Sequence, residues 1–142
     1  MRYEVTCEVA APVETVWSWW TDFGEPGTTF RMAHGMGSST RTILARDGTS
    51  VVFSDKSLLG DIRRTVKMDA STRTLRETGE EGQTFESEWR FEPLGVDRTR
   101  ITRTMRVRAA KIYGPFSRWV TRKDLAFHCR EAEREIAHDR KA

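Results

Sequence analysis

Arg64, Glu77 and Arg103 are the residues of this 142-residue chain whose types and positions suit chemistry. Each interrupts a row of apolar side chains that alternate along an extended stretch: Ile62, Val66 and Met68 around Arg64, Leu75 beside Glu77, and Ile101, Met105, Val107 and Ala109 around Arg103. A charge on an inward face costs several kcal/mol unless it is paired, hydrated or met by a polar ligand group. Inside a cavity, either arginine can bind a carboxylate or polarise a carbonyl, and Glu77 can act as acid or base. Phe85, Ser87, Trp89, Met105, Phe116 and Trp119 are the residues expected to contact a ligand there. His34, in RMAHGMG, and Tyr113, just before Gly114-Pro115, are expected at the mouth. Plainer accounts stand beside these: Arg64 and Glu77 as a structural ion pair, Arg103 stacked on Trp89 or reaching solvent, His34 on the surface, and Tyr113 capping local backbone.

The elements that must position these residues follow from periodicity. Arg2 to Val9 alternates, with Tyr3, Val5, Cys7 and Val9 on one face. Behind Pro12, the residues Val13, Val16, Trp17 and Trp20 have helical spacing. Asp22 to Ser39, punctuated by Gly and Pro, reads as a loop with one helical turn near Thr29 to Ala33. Thr40 to Ala45 and Ser50 to Asp55 flank Asp47-Gly48, a hairpin dipeptide. Strands then run over Asp61 to Met68, Arg73 to Thr78, Thr84 to Glu92 and Arg100 to Ala110, giving seven in all. From Pro115 to Lys141 the chain has no further Gly or Pro and reads as one long helix. On it Leu125, Cys129, Ala132 and Ile136 form a packing seam, while Phe116, Trp119, Val120 and Phe127 form a second stripe.

Turn geometry sets an expected register. A tight turn at Ala70-Ser71 places Met68 opposite Arg73, Val66 opposite Leu75 and Arg64 opposite Glu77. A bulge at Gly82 places Glu77 opposite Phe85, Leu75 opposite Ser87 and Arg73 opposite Trp89. The next hairpin sets Trp89 beside Arg103 and Ser87 beside Met105, lines up Arg76, Glu86 and Arg106 on the opposite face and sets Glu92 beside Arg100, so outward charges are matched across strands.

The totals narrow the function classes. One domain, residues 1–142, is long enough to bury its own core. A net charge of +3 invites a nucleic-acid reading, but acids and bases alternate along the strands and no basic stripe for nucleic acid remains. No run is long enough to span a membrane, and the N-terminus alternates instead of forming an apolar signal, which implies a soluble, cytoplasmic protein. Cys7 and Cys129, far apart in sequence, are expected as reduced thiols even if they approach each other. His128 and His138 lack metal-ligand spacing, so neither a metal nor any other cofactor is expected. The oligomeric state is not legible, and a homodimer stays open.

The segment EVAAPVETVWSWWTD, Glu8 to Asp22, and the hairpin TFESEWRFEPLGVDRTRITRT, Thr84 to Thr104, resemble the START/Bet v 1-like (SRPBCC) superfamily, in its polyketide cyclase/dehydrase and lipid-transport group. The order strand, helix, loop, six strands, long helix carries the resemblance along the whole chain. It implies an α+β helix-grip fold, a seven-stranded antiparallel sheet wrapped around the C-terminal helix with a ligand cavity between. The implied function is binding of a hydrophobic or aromatic small molecule, such as a lipid, isoprenoid or polyketide. The alternative is a cyclase, aromatase or dehydratase working in the same cavity, and an activator of chaperones is a third possibility.

Overall fold

The structure, a computed structural model, describes residues 2–35, 37–58, 60–79, 85–107 and 114–141. In chain order its elements are β1 (Arg2–Val9), α1 (Val13–Trp20), β2 (Thr29–His34), β3 (Gly37–Arg46), β4 (Ser50–Ser57), β5 (Gly60–Asp69), β6 (Thr74–Gly79), β7 (Phe85–Gly95), β8 (Arg98–Val107) and α2 (Gly114–Lys141). All strands join one antiparallel sheet in the order β1-β8-β7-β6-β5-β4-β3-β2.

The sheet therefore has eight strands, where seven were expected. The additional one is β2, which replaces the expected loop and helical turn at Thr29 to Ala33. Its Phe30, Met32 and His34 alternate with more exposed neighbours, and it pairs with β3 from Thr29 opposite Thr42 to His34 opposite Gly37. The glycines flanking it are turn residues, not signs of irregular chain.

Two registers differ from expectation by two residues. Met68 lies opposite Leu75, Val66 opposite Glu77 and Arg64 opposite Gly79. Residues 70–73 form a longer connection than a tight turn: Arg73 takes a left-handed φ of 51° and pairs with Glu14 of α1 instead of starting the strand. In the β6–β7 pair Leu75 meets Trp89 and Glu77 meets Ser87, and Arg76 lies opposite Glu88 and not Glu86 as expected, so the outward charge match is made one pair along. The expected bulge at Gly82 lies outside the described residues. The β7–β8 pairings fall as expected, with Trp89 opposite Arg103, Ser87 opposite Met105, Glu86 opposite Arg106 and Glu92 opposite Arg100.

α2 crosses the concave face and is fixed to β1. Leu125, Cys129, Ala132 and Ile136 are all buried, as their spacing requires. At the N-terminal end the Tyr3 hydroxyl is hydrogen-bonded to Ser117 and Thr121, each at 2.8 Å. Midway, Cys7 and Cys129 are joined as a disulfide, with Cα atoms 6.6 Å apart. The expectation of two reduced thiols is corrected here: the inward face of β1 and the packing seam of α2 bring the sulfurs together. α1 closes the other side, where Trp17 and Trp20 both contact Phe91 edge-on. None of the described helices is long and apolar enough to cross a membrane.

Candidate functional site: a polar-floored cavity under the long helix

Sheet and helix part company between β2 and the C-terminal half of α2. Near its N-terminal end α2 is met by the β2–β3 turn at Gly35, where an added Cβ would come within 2.8 Å of the Lys123 carbonyl group. Beyond this contact a cavity of about 570 Å³ opens. That volume suits a drug-sized ligand. Phe53, Val66, Leu75, Trp89 and Leu125, all buried, supply its apolar inner wall. Exposed Asp22, Arg31, Glu135 and Asp139 stand at its rim.

The expected trio lines this cavity. Arg64 donates from Nη1 to Glu77 Oε1 at 2.8 Å. Register does not place the two opposite each other, yet a slip of two keeps both on the same face, where diagonal neighbours are within reach of long side chains. Glu77 is only 5% exposed. Arg103, 8% exposed, lies with its guanidinium carbon 4.3 Å from the centroid of the Trp89 ring. It donates from Nε to the buried Ser87 hydroxyl at 2.9 Å. Both plainer accounts, the ion pair and the stacked arginine, are thus realised within the cavity wall itself.

Other expected residues lie elsewhere. Met105 is buried in the apolar core. Phe116 and Trp119 stack on each other at the surface of α2, 58% and 45% exposed, and do not shape the cavity. Ser117 and Thr121, bound to Tyr3, set the rotation of the helix and turn the two rings outward. His34 is half-buried at the end of β2. Tyr113 and the side chain of Phe85 lie outside the described residues.

The sequence reading missed a second row on α2. Asp124, His128, Glu131, Glu135 and Asp139 all border the cavity. The first four repeat the 4-3-4 spacing of the packing seam one residue earlier, which rotates them about 100° around the helix. Asp124 Oδ2 is 3.6 Å from Arg103 Nη1, and Asp124 Oδ1 is 3.5 Å from His128 Nε2. His128 Nδ1 is in turn 3.8 Å from Glu131. Burial alone would raise the Asp124 carboxyl; the hydrogen bond and charge of His128, then Arg103 and His34, outweigh it and hold the group at about 2. Burial likewise pulls the Arg103 guanidinium below its ordinary value, opposed by Glu77 and Asp124. Arg41, also in the wall, is held by Asp55 through two bonds of 2.8 and 2.9 Å and lies over Phe53.

The arrangement matches solved structures in fold. A START superfamily protein from Mycobacterium smegmatis aligns over 96% of this chain and 97% of its own, with 19% identity and a TM-score of 0.64. The chain has the START/Bet v 1-like fold. The same fold is shared with the Zhui aromatase/cyclase from Streptomyces sp. R1128, at 22% identity over 96% and 95% of the two chains and a TM-score of 0.55. It is shared also with norcoclaurine synthase from Thalictrum flavum in complex with dopamine and hydroxybenzaldehyde, at 12% identity over 97% and 87% and a TM-score of 0.67. No family model and no curated protein matches the sequence. In this chain the helix-grip arrangement accounts for the cavity, and Arg64, Glu77, Arg103 and Asp124 supply its polar floor.

Proposed function

We propose that the protein encloses a neutral hydrophobic or aromatic small molecule bearing a carbonyl or hydroxyl oxygen, of lipid, isoprenoid or polyketide type. The carrying observation is the buried Arg103 at the wall of an aromatic cavity. Its charge is already balanced: two guanidiniums, Arg64 and Arg103, sit among two carboxylates, Glu77 and Asp124. An ionic ligand would upset that balance in a poorly solvated site, whereas a ligand oxygen needs only a donor. Of the five N–H groups of Arg103, Ser87 takes one and Asp124 faces another, and the guanidinium borders the cavity. Trp20, Phe53 and Trp89 supply faces for a flat apolar body. The names of the structural neighbours, an aromatase/cyclase and an enzyme in complex with dopamine and hydroxybenzaldehyde, support an aromatic ligand and do not bear on its charge. Thermal-shift screening against neutral aromatic ketones, free fatty acids and acyl lipids tests it: stabilisation by a neutral class upholds the proposal, and stabilisation confined to the anionic fatty acids rejects it.

A second reading, catalysis of cyclisation or dehydration, is favoured by the Asp124–His128 pair. His128 is a proton-transfer group, Asp124 orients its ring, and Arg103 is placed to stabilise a developing enolate oxygen. If ligands identified by the screen return unchanged after prolonged incubation with the protein, this reading fails and the binding reading stands.

A further inference from the structure

α2 is electrically two-sided. Four of its five acids, Asp124, Glu131, Glu135 and Asp139, border the cavity, and the fifth, Glu133, accepts from the Ala10 backbone N–H at 2.6 Å. The opposite face carries Phe116, Trp119, Lys123, Arg130 and Arg134, all exposed, at spacings of three, four, seven and four. At about 100° per residue these five fall within an arc of about 60°. No acidic residue of the helix falls on that arc, and exposed Arg118 and Arg122 add to the charge near its start. The aromatic pair stacks with centroids 6.0 Å apart, and Lys123 Nζ lies 4.8 Å from the Trp119 ring.

Two large rings held against each other in water, at the head of a basic row, are a costly surface unless something covers them. A second copy of this chain would set basic face against basic face, which disfavours self-association there. A duplex nucleic acid would answer the charge but not the exposed rings; a single strand, whose bases can stack on rings, is the competing occupant that the test includes. An anionic bilayer surface answers both: tryptophan and phenylalanine enter at headgroup depth while lysine and arginine meet the lipid charge. We infer that the outer face of α2 is a peripheral docking surface for anionic lipid bilayers, anchored by Phe116 and Trp119 and steered by Lys123, Arg130 and Arg134. This surface is separate from the cavity and does not depend on what the cavity holds.

Co-sedimentation of the full chain with phosphatidylcholine vesicles, with and without phosphatidylglycerol, is the test. Binding is expected to the anionic vesicles, to be much weaker to the neutral ones, and to fall as salt is raised. Arg130→Gln and Arg134→Gln should each weaken it about fivefold, and Phe116→Ser combined with Trp119→Ser should abolish it while cavity-ligand binding is unchanged. The inference is overturned by any of four results: no binding to anionic vesicles, equal binding to both kinds, binding indifferent to these substitutions, or preferential binding to single-stranded or duplex DNA. A concentration-dependent dimer that Phe116→Ser/Trp119→Ser dissociates would overturn it too. Should the double variant fail to fold, the two arginine variants decide the matter alone.

Discussion

Arg103 and Trp89 face each other across the β7–β8 ladder, and the guanidinium carbon lies over the indole 4.3 Å from its centroid. Stacking, the bond to Ser87 and the proximity of Asp124 together let a buried cation sit in the cavity wall. Arg103→Lys keeps the charge but loses the planar contact and the Nε bond, so it should cost about 1–2 kcal/mol. Arg103→Met leaves Glu77 and Asp124 with one cation too few and should cost about 3–5 kcal/mol. Urea denaturation measures both, and equal stability of the two variants would refute the ionic account.

Asp124 makes stability acid-sensitive. Its value of about 2 in the folded protein lies below the ordinary 3.8, so its contribution is complete above roughly pH 4 and is lost as the pH falls towards 2. The displacement corresponds to about 2 kcal/mol. Asp124→Asn should remove that amount at pH 7 and flatten the decline between pH 4 and 2, as followed by denaturation at a series of pH values.

The disulfide links residues 122 positions apart, so its loss frees almost the whole chain in the unfolded state. Cys7→Ser with Cys129→Ser should destabilise by about 2–4 kcal/mol. The unmodified protein should lose the same amount on reduction, and two free thiols in the untreated protein would contradict the bond.

Gly35 marks where the β2–β3 turn touches α2. Gly35→Ala must displace the turn or the helix, because the new Cβ meets backbone and not a flexible side chain. A cost of about 1–3 kcal/mol is expected. The cavity should also exchange ligand faster, measured as a raised dissociation rate by stopped flow. An unchanged rate would contradict a role for this contact in retaining ligand.

Much of this was legible in the sequence. Alternation located Arg64, Glu77 and Arg103 on the inner face, and that survived two register errors because a slip of two residues never changes the face. The length of the connection at residues 70–73 is not legible in the sequence, because it goes with Arg73 accepting a left-handed conformation beside Glu14, a tertiary contact. β2 was hidden by the glycines around it, although Phe30 and Met32 already alternated. Size alone suggested that Phe116 and Trp119 point inward, but the polar pair Ser117 and Thr121 faces Tyr3 and fixes the helix rotation. The same rotation brings Asp124 and His128 to the cavity, a row readable only once the neighbouring seam is known to be buried.

The five tryptophans allow the central claim to be tested in one spectrum. Trp19, Trp20 and Trp89 border the cavity, Trp17 packs on Phe91, and Trp119 lies outside. On titration with a neutral aromatic ketone found by screening, the indole N–H resonances of Trp20 and Trp89 and the Nε–H of Arg103 should shift together and saturate together, with Trp119 unmoved. Shifts confined to Trp119, or an Arg103 signal that stays fixed while ligand binds, would contradict a ligand held in this cavity against Arg103.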